Sequence, residues 1–298
     1  MFSTVEEYLE ALKKEMQGID SATMQDALVD AEEHLRTALE TVNESQPDME
    51  PADVLPGIIE QYGTPEETAA AYAEVERLTA PALAGSATKK QRSGLGAFFA
   101  IYADPKAWGA LLYMLIAFVT GIIYFSWAVT GVSVSISFAI FIFGLPVALL
   151  FILSVRGIAW LEGRLVEALL GVRMPRRSLP APQNTKLLER IKALLKDKHT
   201  WFSLIYMFTQ FVLGIIYFVV LVTVFALSLS GIAIPILQEI FGLPFAQMGN
   251  LHYLMPQWGY PLTVLAGFLL WTVTMHLVKW VGGLHGRYAK AMLVAEHD

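Results

Sequence analysis

A 22-residue apolar phrase is written twice in this chain, and that repetition constrains the fold more than any other feature. "DPKAWGALLYMLIAFVTGIIYF" occupies residues 104–125 and "DKHTWFSLIYMFTQFVLGIIYF" residues 197–218, with 12 of 22 aligned positions identical at a constant offset of 93. The shared positions include Trp108 and Trp201, Tyr113 and Tyr206, Gly121 and Gly214, and Tyr124 and Tyr217, all read as residues that pack the repeats. Further on, "RGIAWLEGRLVEALL" (156–170) aligns with "KWVGGLHGRYAKAML" (279–293) at an offset of 123, pairing Gly163 with Gly286, Arg164 with Arg287, Leu161 with Leu284 and Leu170 with Leu293. The repeated unit is therefore an approach, two apolar stretches and an exit helix. Its second copy is longer between the stretches. Two copies in the same orientation predict packing about a pseudo-two-fold along the membrane normal.

The membrane enters through composition. The chain is 55% hydrophobic with a mean hydropathy of +0.50, too apolar for an ordinary soluble domain of 298 residues. Four stretches are long enough to cross a hydrocarbon layer, roughly Trp108 to Thr130, Val132 to Val155, Trp201 to Ser228 and Leu262 to Val278. The first two almost touch at "TGVS", which predicts a tight hairpin. The N-terminus "MFSTVEEYLEALKKEMQG" is acidic and amphipathic, without the features of a secretory signal.

Charge divides the chain. Residues 1–80 hold 19 acidic and 4 basic side chains, whereas the net charge of the whole is −6, so the remainder is strongly basic. An acidic N-terminal part argues against direct nucleic-acid binding. Lys and Arg fall before the first span, between the second and third, and after the fourth, and are absent from residues 229–260. That asymmetry predicts a multi-pass membrane protein with cytoplasmic termini and an outer loop over 229–260.

Residues 1–80 read as a small helical domain. Ser3 or Thr4 caps a first helix carrying Tyr8, Leu9, Leu12 and Met16, and Asp20 or Ser21 starts a second carrying Met24, Leu28, Ala31, Leu35 and Leu39. A third helix from about Pro51 stops at Gly63. "TPEE" then offers a capping box to a fourth with Ala70, Tyr72, Ala73 and Val75. Residues 81–103 form a basic linker, 104–172 the first membrane repeat, 173–196 a basic amphipathic link and 197–298 the second repeat. Within the link, Leu187, Leu188, Ile191, Leu194 and Leu195 share one helix face while Lys186, Arg190, Lys192 and Lys196 lie elsewhere, as in a helix resting on anionic headgroups. Arg164 and Arg287 of the exit helices join this membrane-surface set. There Leu161, Leu165 and Leu169 stand opposite Glu162, Arg164 and Glu167.

Little here resembles chemistry. There is no cysteine, the six histidines show no HExxH spacing, and no phosphate-binding glycine loop, kinase motif or GxSxG elbow occurs. The expectation is no catalytic residue, no metal, no cofactor and no enzyme. Gln210 is read as an interhelical hydrogen-bonder and His276 as interfacial, and the scarcity of charge in the span cores disfavours a coupled transporter. Ala117, Gly121, Gly214, Gly267, Gly282 and Gly286 are read as small residues that let helices approach closely. "GIAIPIL" (231–237) could break a helix. The outer loop allows two compatible readings: an aromatic segment at the interface, or a surface for a lipophilic or envelope-derived ligand built from Phe245, Tyr253, Trp258 and Tyr260.

The repeated phrases, "FGLP", "RGIAWLEGRLVEALLGV" and the closing "LHGR" resemble the bacterial putative-sensor membrane domain over about residues 94–295. "VEEYLEALKKEM", "DALVDAEEHL" and "VLPGIIEQYGTPEETAAAYA" resemble the small helical signalling domain called HAAS over about residues 3–78. The fold expected is all-α, a soluble helical domain plus a four-helix transmembrane bundle of two parallel two-span repeats with interfacial helices. The resemblance implies a sensor that signals through a cytoplasmic partner, a PadR-type winged-helix regulator engaged by residues 1–80. On the acidic domain Glu32, Glu33, Glu66 and Glu67 are the candidate partner contacts. A homo-oligomer, a scaffold or accessory subunit, and a transporter of a lipophilic substrate stand as the other readings.

Overall fold

The computed structural model describes residues 2–46, 49–79, 81–83, 94–138, 141, 144–177, 187–244, 246–248 and 251–294. The fold is helical. Its elements are α1 (Val5–Glu15), α2 (Ser21–Ser45), α3 (Pro51–Tyr62), α4 (Pro65–Leu78), α5 (Leu95–Phe99), α6 (Pro105–Phe138), α7 (Gly144–Leu170), α8 (Leu187–Lys196), α9 (Lys198–Phe241) and α10 (Tyr260–Leu293). A three-residue antiparallel ribbon, β1 (Ala246–Met248) with β2 (Leu251–Tyr253), is the one strand pairing among the described residues. Four helices, α6, α7, α9 and α10, are long and apolar enough to cross a membrane.

The chain forms two compact units. The first holds residues 1–84, 127–206 and 287–298, and the second residues 85–126 and 207–286. In the first, α1–α4 close around Tyr8, Leu12, Met16, Leu28, Ala31, Leu35, Leu55 and Ile59. Local signals set the helix ends. The Thr4 hydroxyl accepts from the Glu7 amide, the Asp20 carboxylate from the Ala22 amide, and Thr64 and Glu67 form the reciprocal capping box. Gly63 takes φ 119°, a conformation that a side chain would strain, and its carbonyl accepts from the Tyr8 hydroxyl at 2.9 Å. On α4 the buried face is Thr68 and Ala69 with Tyr72 rather than Ala70 and Val75, because Tyr72 donates to Asp30 of α2 at 2.7 Å and sets the rotation of the helix.

The spans are longer than their sequence breakers suggest. α6 continues through "TGVS" to Phe138, where a hairpin turn was expected, and α9 runs through Pro235 to Phe241 with no break at "GIAIPIL". The stretch between α9 and α10 is correspondingly 242–259, not 229–260. Apolar surroundings offer a backbone no hydrogen-bond partner but itself, so helix persists where water would favour a turn. Ser137 illustrates the adjustment, turning its hydroxyl onto the Ser133 carbonyl at 2.8 Å. The exit segments 156–170 and 279–293 are likewise the ends of α7 and α10 rather than separate helices.

In the second unit α6 crosses α9 with the two copies in equivalent roles. A Cβ added at Gly121 would collide with the backbone of Gln210 and Phe211, and one at Gly214 with that of Ala117 and Phe118. Residues 117 and 210, and 118 and 211, are themselves 93 apart. The flanking rings repeat the exchange: Phe118 stacks on Phe218 at 4.3 Å and Phe125 on Phe211 at 4.4 Å. A second small-residue contact joins α9 to α10, where the Ser228 hydroxyl donates to the Gly267 carbonyl at 2.5 Å and Gly231 lies against Gly267. Replacing Gly121 or Gly214 with Leu should therefore destabilise the protein by similar amounts, about 1–3 kcal/mol each. Gly283→Ala, which meets open space, should be neutral or stabilising in the same thermal-unfolding assay in detergent.

Candidate functional site

The site of most consequence in the first unit lies on α2. Between Ala22 and Val29 this helix is buried almost all round, which an amphipathic pattern does not explain. One side faces the core of the four-helix domain. On another, Asp26, Asp30 and Glu33 stand at i, i+4 and i+7 and receive the chain segment that leaves α7. The Asp26 carboxylate accepts from the Arg176 and Arg177 amides at 2.7 and 2.9 Å. Arg177 pairs with Asp30 at 2.5 Å and with Glu33 at 3.2 Å. From the other side α7 grips the same segment: Arg164 donates to the Met174 and Pro175 carbonyls at 2.8 and 2.5 Å, and the Trp160 indole to the Arg176 carbonyl at 3.1 Å. Gly171, at φ 68°, ends α7 with its α-carbon against the Leu83 backbone, where no side chain fits. Lys290 of α10 pairs with Asp20 at the start of α2. The last three turns of one candidate span and the next seven residues are thus a single clamp on the acidic domain.

The acidic residues picked from sequence are dispersed by this geometry. Glu33 sits in the clamp, Glu32 pairs with Arg36 at 2.9 Å, Glu67 belongs to the capping box, and Glu66 is exposed. Of the basic set, Arg164 turns inward to the 171–177 segment and to Glu167, Arg190 is half-buried, and Lys192 and Arg287 are exposed; Lys186 lies outside the described residues. Asp26, Asp30 and Arg177 were missed. Their signal was the i, i+4, i+7 acid spacing on α2 and the acid-free run "RMPRR" after α7.

A second arrangement occurs once in each unit. In the second, the Tyr113 hydroxyl meets His285 Nε2 at 2.7 Å and the Tyr217 hydroxyl meets Nδ1 at 3.0 Å, while Gln210 donates to Tyr113 at 3.2 Å. A neutral imidazole has one N–H, so one tyrosine donates to it and the other accepts. In the first unit Tyr206, 93 residues after Tyr113, donates at 2.9 Å to Glu162, 123 residues before His285. The ion pairs follow the same offsets, Asp104 with Lys279 in one unit and Asp197 with Arg156 in the other. So do the indoles, with Trp108 donating to the Tyr102 carbonyl and Trp201 to the Leu195 carbonyl. Each unit therefore joins the approach of one copy to the exit of the other. Trp108 and Trp201 are half-exposed anchors rather than packed rings, whereas Tyr113, Tyr124 and Tyr206 are buried. The exit-helix face is inverted relative to expectation, with Glu162 buried and Leu161 half-exposed.

Of the outer-loop residues, Tyr260 accepts at 2.8 Å from Gln238, which also bonds the Met255 backbone, so it braces the loop. Tyr253 and Trp258 are exposed, and Phe245 lies outside the described residues. His276 meets the Phe98 carbonyl at 2.9 Å.

Asp26 makes the clamp sensitive to pH. Burial, its largest influence, outweighs the two amides and the Arg173 and Arg164 charges, so its carboxyl titrates above the ordinary value of 3.8. An acid raised on folding contributes stability below its unfolded value, and that contribution is lost as pH climbs through the raised value. Asp26→Asn keeps an acceptor oxygen without charge and should flatten the pH dependence of unfolding in this acidic window at little cost. Asp26→Ala orphans two amides and should cost about 1–3 kcal/mol by thermal unfolding at neutral pH.

A family model described as "Putative sensor" matches residues 113–293, from Tyr113 on α6 to the end of α10. No curated protein and no solved structure matches the chain. The matched region takes in most of the chain and reaches all four candidate spans. The chain belongs to the putative-sensor family.

Proposed function

We propose that this protein is a membrane-embedded sensor that relays an envelope-derived or lipophilic signal to a cytoplasmic partner through the acidic four-helix domain. The observation that carries the reading is the clamp on α2. The segment leaving α7 is bound directly to Asp26, Asp30 and Glu33 of α2, which supports a displacement of α7 being passed to α2. Family membership supports the sensing role. The distribution of Lys and Arg supports a cytoplasmic location for both termini and for the 171–177 segment.

In the second unit, Tyr253 and Trp258 offer exposed aromatic surface next to a loop braced by Gln238. A ligand preferring one packing of the spans would shift the population of that packing, and the clamp would carry the difference to α2. The partner class implied by the resemblance of the N-terminal domain is a winged-helix transcriptional regulator. Such a relay uses no bond-making chemistry, in keeping with a non-enzymatic role.

Affinity capture of the full-length protein from its native membrane in mild detergent, beside a chain lacking residues 1–80, tests this. A DNA-binding regulator retained by the full chain and lost with the deletion is the expected result. Recovery of the same membrane proteins by both chains, with no such regulator, would overturn the proposal in favour of an accessory subunit.

A further inference from the structure

The 171–177 segment starts at the residue after α7, so in a bilayer it emerges where a membrane-crossing helix meets the headgroups. It contains Arg173, Arg176 and Arg177 and no acidic residue. The carboxylates that meet its guanidinium groups are Asp30 and Glu33 on α2 and Glu167 on α7. Arg176 and Arg177 keep 50% and 46% of their side chains exposed, and the Arg176–Glu167 pair is long at 4.0 Å. Ion pairs this exposed hold weakly and exchange partners readily. Arg173 reaches Thr79 only at 3.4 Å, and its Nε is buried without an acceptor. The backbone of the segment is held by a separate contact, Asp26 binding the two amides and not the guanidinium groups, and the side-chain pairs add to that hold, so the amides open more often when the pairs are lost.

Three arginines with loose or incomplete acceptors, at the end of a candidate span, offer fork-shaped donors that suit a phosphate oxyanion as well as a carboxylate. We propose that Arg173, Arg176 and Arg177 form a binding site for the phosphate of an anionic phospholipid headgroup, which competes with Asp30 and Glu33 for the exposed guanidinium groups. Asp26 keeps the segment on α2 while the side chains change partner. Headgroup binding therefore uncovers acidic surface on α2 and loosens the clamp without releasing it. This inference rests on α2 being the output face, and it makes the lipid composition of the membrane an input to the sensor.

The test is hydrogen exchange at residues 172–177 of the full-length protein in nanodiscs, which requires no signalling partner and so stands or falls apart from the capture experiment. Three conditions are compared: phosphatidylcholine discs, discs with added phosphatidylglycerol, and phosphatidylcholine discs with inorganic phosphate in the buffer. Phosphatidylglycerol should accelerate exchange at the Arg176 and Arg177 amides by about fivefold for each arginine that changes partner. Inorganic phosphate should not. R176K/R177K, which retains the charges but loses the forks, should weaken the acceleration, and R176Q/R177Q should lose it while exchange within α1–α4 stays native. Exchange that ignores phosphatidylglycerol would overturn the proposal, as would acceleration that persists in R176Q/R177Q. Equal acceleration by inorganic phosphate would make the ligand a soluble anion and overturn the lipid assignment.

Discussion

A buried carboxylate that binds backbone amides ties the acidic domain to the membrane part of this chain. Asp26 loses hydration in that position and regains only part of it from the Arg176 and Arg177 amides, which is why its acidity is weakened. The arrangement persists because the neighbours multiply the contact: Arg177 reaches two further carboxylates, Arg164 and Trp160 hold the segment's carbonyls, and Lys290 fixes the start of α2. Without Asp26 these side-chain pairs would be exposed and individually weak. With it, α7 and α2 share one continuous set of contacts through the 171–177 segment.

The second constraint is the apolar length of α6, α7, α9 and α10, each long enough to cross a membrane. Helices that leave no backbone group unpaired run past the glycines, serines and proline that would end them in water, and their polar side chains turn inward. The duplicated sequence meets that constraint by exchange. The approach of each copy is ion-paired to the exit of the other, Asp104 with Lys279 and Asp197 with Arg156, and the repeated tyrosines reach His285 in one unit and Glu162 in the other. The repeated positions keep the geometry while the partner differs, an imidazole in one unit and a carboxylate in the other. The polar lining of the spans is thus asymmetric on a repeated framework.

How much of this was legible depended on range. The Thr64–Glu67 capping box, the turn at Gly63 and the core face of α2 are local, and each follows from a few neighbouring residues. The close approach at Gly121 and Gly214 was legible because the repeat marked both glycines at once. The ends of α6 and α9 were not, since turn propensities are measured against water. The pattern around Glu162 is that of a surface helix, where a carboxylate points outward, and its burial depends on Tyr206, 44 residues away. Asp26 and Arg177 lie 151 residues apart, and nothing near either one names the other.

Because the natural sequence has no cysteine, two spin labels can be placed at will on α2 and α7. Thr37→Cys on an exposed turn of α2 and Leu161→Cys on the outward face of α7 allow the distance between the helices to be measured in nanodiscs by double electron–electron resonance. A single narrow distribution that broadens when Asp26→Ala is added is the result expected of a rigid clamp. A broad distribution in the otherwise native chain, indifferent to Asp26, would contradict it.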